Sequence, residues 1–239
     1  MRKLPWAWLL LVPFANGKAQ TPFKDTSAPS PLLSVYLQTV NNPSDLYNGR
    51  TYHVDFPLLY GNDHPFLDTN TYQTGSVVYF GKLFENLQLK FDLMKQTVLL
   101  QHSETDEGLE FQDGALDRFT IGGHRFLRIR DSSTLQPGYY DVLYDGTTTV
   151  LATYRKEIGG ERLVDQRLLY YLNPQINRYY VLHRGQWFRV RNQKGLYEAL
   201  GDATKVLKPY LRREGLSFRK KPAETVIAAA RYMDQSSPR

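Results

Sequence analysis

Short stretches of alternating apolar and polar residues run through the middle of the chain. In the sequence LQLKF, residues Leu87, Leu89 and Phe91 fall on one side of an extended chain, which is the two-residue period of a half-buried strand. Runs rich in valine, leucine and aromatic residues predict further strands at 76–80, 97–101, 119–122, 126–129, 139–144 and 148–155. Strands this short and frequent indicate a mainly β fold: an antiparallel sandwich, a barrel or a curved sheet.

Turn-forming residues separate the predicted strands. They are Gly81-Lys82, Gly122-Gly123, Gln136-Pro137-Gly138, Asp145-Gly146 and Gly159-Gly160. Residues 163–172 (LVDQRLLYYL) predict one uninterrupted strand, and residues 179–190 predict a hairpin that turns at Arg184-Gly185.

The pattern becomes helical after Arg191. Leucine and alanine side chains recur there at steps of three or four residues: Leu196, Leu200, Ala203, Leu207 and Leu211. This spacing places them on one side of a pair of helices, with Gly201 ending the first and Asp202 capping the second.

A last helix is predicted to begin at Pro222, because proline suits the first turn of a helix. Its inward-facing residues are expected to be Val226, Ile227 and Ala230. Together the predicted helices form a small C-terminal helical cap on the strands.

The first nineteen residues resemble a secretory signal peptide. Arg2 and Lys3 form a basic start, residues 6–14 are apolar, and Gly17 and Ala19 have the spacing of a cleavage site. We therefore expect export to the periplasm or the extracellular space. The expected organisation is a signal peptide at 1–19, a flexible leader at 20–46, a β-rich domain at 47–192 and a helical cap packed on it at 193–235.

Cleavage before Gln20 gives a first testable prediction. In a Gram-negative host the mature chain should begin at Gln20 and carry no lipid, because the chain has no cysteine that could be acylated there. Intact-mass measurement of the exported protein checks this result. A retained Met1, or an acylated species, would contradict it.

The absence of cysteine also limits the chemistry that is available. It excludes disulfides, thiol catalysis and thiolate metal sites. After cleavage the chain would still be long enough to bury roughly 70% of its unfolded surface without cross-links. No apolar stretch after the signal approaches the roughly 20 residues of a transmembrane helix.

Positive charge is concentrated near the C-terminus. The chain has a net charge of +6, and residues 177–239 contain 14 Lys and Arg against 5 Asp and Glu. Arg212, Arg213, Lys220 and Lys221, together with Trp187, are the candidate ligand or partner surface. An anionic lipid surface, lipopolysaccharide or an acidic protein would suit such a surface. Nucleic acid is not expected, because the chain is expected to be exported.

Three longer stretches carry a resemblance. They are GKLFENLQLKFDLMKQTVLL, YDGTTTVLATYRK and RYYVLHRGQWFRVRNQKGLYEALGDATKVLKPYLRREGLSF. In this order they resemble exported β-rich proteins of Gram-negative bacteria that have no assigned function. The resemblance implies a β-rich exported protein, and it assigns no catalytic residue to this sequence.

One segment is dense in metal-ligating residues. His53, Asp55, Asp63 and His64, with Asp68 nearby, could hold a metal ion or provide acid–base chemistry. The alternative is an ordinary surface loop, since Asn and Asp beside Gly and Pro are common turn formers. The spacing H-E-x-x-H does not occur, and neither do G-x-S-x-G or the glycine loops that bind phosphate.

These features favour a noncatalytic exported protein that binds an envelope component or a protein partner, with no cofactor and no catalytic residue. An alternative is a carrier of an apolar ligand or lipid, because 17 Tyr, 12 Phe and 3 Trp could line a concave sheet. A third hypothesis is an enzyme that uses the cluster from His53 to Asp68.

Overall fold

Thirteen strands make up most of the fold in the computed structural model, which describes residues 43–53, 59–102, 108–112, 114–132, 134–201 and 203–236. The strands are β1 Arg50–Thr51, β2 Gln73–Tyr79, β3 Lys82–Asp92, β4 Thr97–Gln101, β5 Gly108–Glu110, β6 Leu116–Ile121, β7 His124–Ile129, β8 Gly138–Tyr144, β9 Thr149–Arg155, β10 Ile158–Val164, β11 Arg167–Leu172, β12 Ile176–His183 and β13 Gln186–Val190.

Eleven of these strands form one antiparallel sheet in the order β1-β5-β4-β3-β2-β6-β7-β8-β9-β12-β13. Two-residue hairpins join β2 to β3, β6 to β7 and β12 to β13, because Gly81, Gly122, Gly123 and Gly185 adopt the positive φ angles that such turns require. The mainly β prediction with C-terminal helices is confirmed. Within the described residues the sheet is open, with β1 and β13 at its edges.

The hairpin β10–β11 corrects two sequence predictions. Residues 163–172 do not form one strand, because the chain reverses at Asp165 and Gln166, which have φ angles of 48° and 63°. Asp165 is a common turn former, but no glycine accompanies it, and the sequence analysis treated both residues as part of a strand. Gly159 and Gly160 lie inside β10 rather than in a turn. The hydroxyl end of the Tyr171 side chain lies over Gly160 and would have to shift if residue 160 carried a β-carbon.

Three helices follow the last strand: α1 Gln193–Ala199, α2 Thr204–Arg213 and α3 Pro222–Ser236. Leu196, Leu200, Leu207 and Leu211 are all buried, as their spacing predicts. They belong to the same apolar cluster as the inward-facing residues of the sheet. On one face of the sheet, α1 packs against β13 and α3 against β8, β9 and β12, while α2 packs on these two helices.

Two details of the helices differ from the prediction. The residue before α2 is Ala203, which makes no side-chain capping hydrogen bond, and Asp202 lies outside the described residues. In α3, Val226 and Ala230 are buried as expected, but Ile227 is only half-buried and Ala229 takes the inward position. Small side chains suit this contact, because they let the helix approach the sheet closely.

The two faces of the sheet carry separate apolar clusters. The first cluster includes Phe91, Phe119 and Phe126 together with the helix residues. The second is smaller and centres on Leu135, Tyr140 and Leu151. Tyr140 and Leu151 alternate along their strands with residues of the first cluster, so the second cluster lies on the face opposite the helices. We call these the helix face and the outer face.

The described chain begins with a 3-10 helix, Pro43–Asn48. Leu46 in this helix is 4% exposed and packs in the first cluster. The boundary predicted at residue 47 therefore falls inside an ordered element. The predicted signal peptide and most of the predicted leader lie outside the described residues.

Candidate functional site

Basic side chains cover the solvent side of α2 and the segment that follows it. Leu207 and Leu211 are buried, whereas the basic residues between and after them are exposed. We define the basic tail surface by six of the exposed cations there: Lys205, Lys208, Arg212, Arg213, Lys220 and Lys221. The helical period separates the two sets, because residues three or four apart share a side of the helix.

Acidic side chains neutralise only part of this surface. Arg213 lies 3.4 Å from Glu214, and Lys221 lies 3.0 Å from Glu224. In the part of the chain that the structure describes, no carboxylate forms an ion pair with the other four cations. The basic tail surface therefore presents an excess of positive charge to solvent.

Trp187 does not belong to the basic tail surface. It lies on β13 and packs with Tyr180 and Leu151 in the second apolar cluster, on the outer face. Its neighbour Phe188 packs against the first cluster, on the helix side. Alternation along one strand thus separates two aromatic residues that are adjacent in sequence.

The predicted metal-ligating residues are held by separate contacts. The backbone carbonyl of His53 accepts a hydrogen bond from Lys95 Nζ at 2.5 Å, and Asp63 Oδ2 accepts one from the Leu172 amide at 3.0 Å. Asp55 lies outside the described residues. Among the residues that are described, no group of three His, Asp or Glu side chains has the arrangement of a metal site.

Asp63 and His64 do line one surface cavity of about 320 Å³. Lys156 lines it as well, and its Nζ donates to the carbonyls of His64 and Phe66 at 2.8 and 3.0 Å. Burial and the nearby Lys156 lower the pKa of His64, which favours a neutral imidazole. The lysine ammonium in the wall opposes binding of a cation in this cavity.

The structure assembles a polar cluster that the sequence analysis did not predict. His124 Nδ1 lies 2.6 Å from Asp141 Oδ2, and His124 Nε2 lies 3.1 Å from Asp68 Oδ2. Tyr154 donates its hydroxyl to Asp141 Oδ2 at 2.7 Å, and the Arg125 amide donates to Asp141 Oδ1 at 3.1 Å. We call Asp68, His124, Asp141 and Tyr154 the histidine cluster.

The electrostatics of this cluster favour a charged imidazole. The hydrogen bond to Asp141 raises the pKa of His124, with further contributions from the charges of Asp141 and Asp68. Burial, followed by the nearby Asp141 charge, raises the pKa of the Tyr154 hydroxyl, which remains protonated. Both ring nitrogens of His124 have carboxylate partners, so the imidazolium links two segments that are far apart in sequence. In this arrangement it supports the fold, with a carboxylate beside each ring nitrogen.

One sequence signal for this cluster was available. Asp141 interrupts the apolar strand sequence YYDVLY. A carboxylate between buried residues requires hydrogen-bond partners, because burying an unpaired charge is strongly unfavourable. The signal indicates that Asp141 has partners but does not identify them.

No known protein family, curated protein or solved structure matches this chain. The resemblance to exported Gram-negative proteins therefore stays a prediction. Within the described residues, no helix combines the length and apolar character needed to cross a membrane.

Proposed function

We propose that this protein is a noncatalytic exported envelope protein that acts by binding an anionic component of the envelope. The observation that supports the proposal is the basic tail surface, which combines buried leucines on one side of α2 with unneutralised cations on the other. Because the leucine side packs in the core, the cations are held on a fixed part of the fold.

The core packing gives less support to a carrier of an apolar ligand. Aromatic rings fill the region between β3 and β8: the ring centroids of Phe91 and Phe119 are 5.2 Å apart, and those of Phe119 and Phe126 are 4.6 Å apart. Tyr139 packs against Phe91 and Phe119 in the same group. Side chains of the protein occupy the space on the helix face that an enclosed apolar ligand would need.

Attraction between the basic tail surface and an anionic membrane is electrostatic at long range. Exposed charges interact over about one Debye length, which is about 8 Å at physiological ionic strength. Each Lys or Arg near an anionic membrane contributes about 1 kcal/mol to binding. The four cations that have no carboxylate partner among the described residues are enough for weak, reversible and salt-sensitive association.

A vesicle experiment tests this proposal. We expect the mature protein to cosediment with phosphatidylglycerol vesicles in about 10 mM salt and to be released in about 1 M salt, where the Debye length falls from about 30 to about 3 Å. It should not bind phosphatidylcholine vesicles. Changing Arg212, Arg213, Lys220 and Lys221 together to Gln should abolish binding.

A matched control removes the same number of charges elsewhere. Arg50, Arg155, Arg162 and Arg167 are exposed and lie on β1, β9, β10 and β11. Changing these four to Gln should leave most of the vesicle binding intact. Equal losses for the two quadruple variants would show that only total charge matters, and salt-independent binding would contradict an electrostatic mechanism.

A further inference from the structure

A depression of about 390 Å³ opens on the outer face of the sheet, across β2, β3, β6 and β7. The side chains that shape it include Ser76, Val78, Leu83, Arg118 and Arg125. On β2 these residues alternate with Val77 and Tyr79, which are buried in the first cluster. The depression therefore lies on the opposite side of the sheet from the helices. Its volume falls within the range of about 300–1,000 Å³ that is typical of small-molecule sites.

The strand register arranges these side chains in two parallel rows. In the first row, Val78 is paired with Leu83 on one side and with Arg118 on the other. In the second row, Thr120 is paired with Ser76 on one side and with Arg125 on the other. The rows are two residues apart along the strands, which is about 7 Å.

Arg118 and Arg125 meet diagonally on adjacent strands. Arg118 is paired with Leu127, two residues after Arg125, so the α-carbons of the two arginines are about 7–8 Å apart and their β-carbons are somewhat closer. Both side chains are exposed, and two flexible guanidinium groups at this separation can reach one carboxylate placed between them.

The depression carries a net positive charge, which suits a ligand with a single negative charge. Arg125 Nη2 lies 3.4 Å from Asp145 Oδ2, whereas Arg118 forms no ion pair within the described residues. Two guanidinium groups and one carboxylate leave one positive charge. Ser76 Oγ and Thr120 Oγ1 are 2.8 Å apart, and their mutual hydrogen bond uses only one of the two hydroxyl protons. The other hydroxyl can donate to a ligand.

The far end of the first row is apolar and open to solvent. Leu83 is 52% exposed, and Phe80, in the turn between β2 and β3, is 61% exposed. Val78 lies between Leu83 and Arg118. Covering this apolar surface with a hydrocarbon chain would contribute about 25 cal/mol for each Å² removed from water.

We propose that this depression binds a single-chain carboxylate amphiphile. The carboxylate lies between Arg118 and Arg125 and accepts a hydrogen bond from the Ser76–Thr120 pair. The chain lies over Val78 and Leu83. This site is independent of the basic tail surface, since it is on the opposite face of the sheet and uses different residues.

Titration of the full mature protein with octanoate, followed by amide NMR, tests the proposal. We expect saturable shift changes at the amides of Ser76, Val78, Leu83 and Arg118. Acetate, which lacks the chain, and octyl glucoside, which lacks the charge, should each bind at least tenfold more weakly. Arg118→Gln should weaken octanoate binding about tenfold or more, because a charge-assisted hydrogen bond is lost.

Two control variants make the test specific. Arg167→Gln removes an exposed charge from β11 and should bind octanoate like the unmodified protein. The quadruple Gln variant of Arg212, Arg213, Lys220 and Lys221 should also retain octanoate binding, which separates this site from the proposed membrane contact. Unchanged affinity of a folded Arg118→Gln variant, equal affinity for octyl glucoside, or shift changes centred on α2 would each overturn the proposal.

Discussion

Replacing Leu207 with Asp is expected to lower the free energy of unfolding by at least about 3 kcal/mol. The Leu207 side chain is fully buried in the first apolar cluster, where α2 packs against α1 and α3. The substitution removes apolar contacts and places a carboxylate where no hydrogen-bond partner is provided. Urea denaturation, monitored by circular dichroism, measures the change.

Lys208→Asp is the matched control, because it introduces the same side chain at the next residue. Lys208 is exposed, so this change should alter the free energy of unfolding by no more than about 0.5 kcal/mol. Small and equal effects of the two substitutions would show that α2 is not docked on α1 and α3. The basic tail surface would then lose its fixed support.

The second large effect is expected at the histidine cluster. Asp141→Ala should lower the free energy of unfolding by about 3–5 kcal/mol, the usual consequence of removing one partner from a buried charged pair. The Asp141 side chain is only 2% exposed, and the change leaves His124, the Tyr154 hydroxyl and the Arg125 amide without their acceptor.

Asp68→Ala removes the other carboxylate next to His124. Because Asp68 is 52% exposed, that change should lower the free energy of unfolding by less than about 1 kcal/mol.

The same cluster predicts how stability depends on pH. The pKa of His124 is raised in the folded protein, so its stabilising contribution is complete below the unfolded value of about 6.5 and is lost as the pH rises through the folded pKa. Lowered pKa values of His64 and His183, caused mainly by burial, act in the opposite direction. The difference in unfolding free energy between the unmodified protein and His124→Asn isolates the contribution of His124. We expect this difference to shrink from pH 6 to pH 9, and a constant difference would contradict the assignment.

Local sequence patterns predicted those elements that depend on near neighbours. The alternation in LQLKF places Leu89 and Phe91 in the core, and the hairpin turn at Arg184 and Gly185 occurs as expected. The turn at Asp165 and Gln166 was not predicted from the sequence. Residues other than glycine can adopt positive φ angles when the strands on both sides pair. Tertiary context therefore overrode the local signal in the hairpin β10–β11.

The candidate sites show the same difference between features that local sequence predicts and features that the tertiary structure decides. The helical period alone predicted the buried residues Leu196, Leu200, Leu207 and Leu211, because their spacing depends only on near neighbours in short helices. It could not show that Trp187 faces the other side of the sheet, which depends on the pairing of β13 with β12. Among the described residues, His53, Asp63 and His64 do not form a metal site, and this likewise depends on partners elsewhere in the chain, such as Lys95 and Leu172.

By itself the sequence determined most of the strands, the helices and the basic segment, because each depends on side chains within a few residues of one another. Only the tertiary structure decided the contacts between distant residues. His124 meets Asp68 and Asp141, which are 56 and 17 residues away, and Arg118 lies beside Val78 only because β6 returns to pair with β2. The physical reason is that strand order and register are set by burial summed over the whole sheet. A local pattern shows that a side chain needs a partner, and the folded chain determines which partner it has.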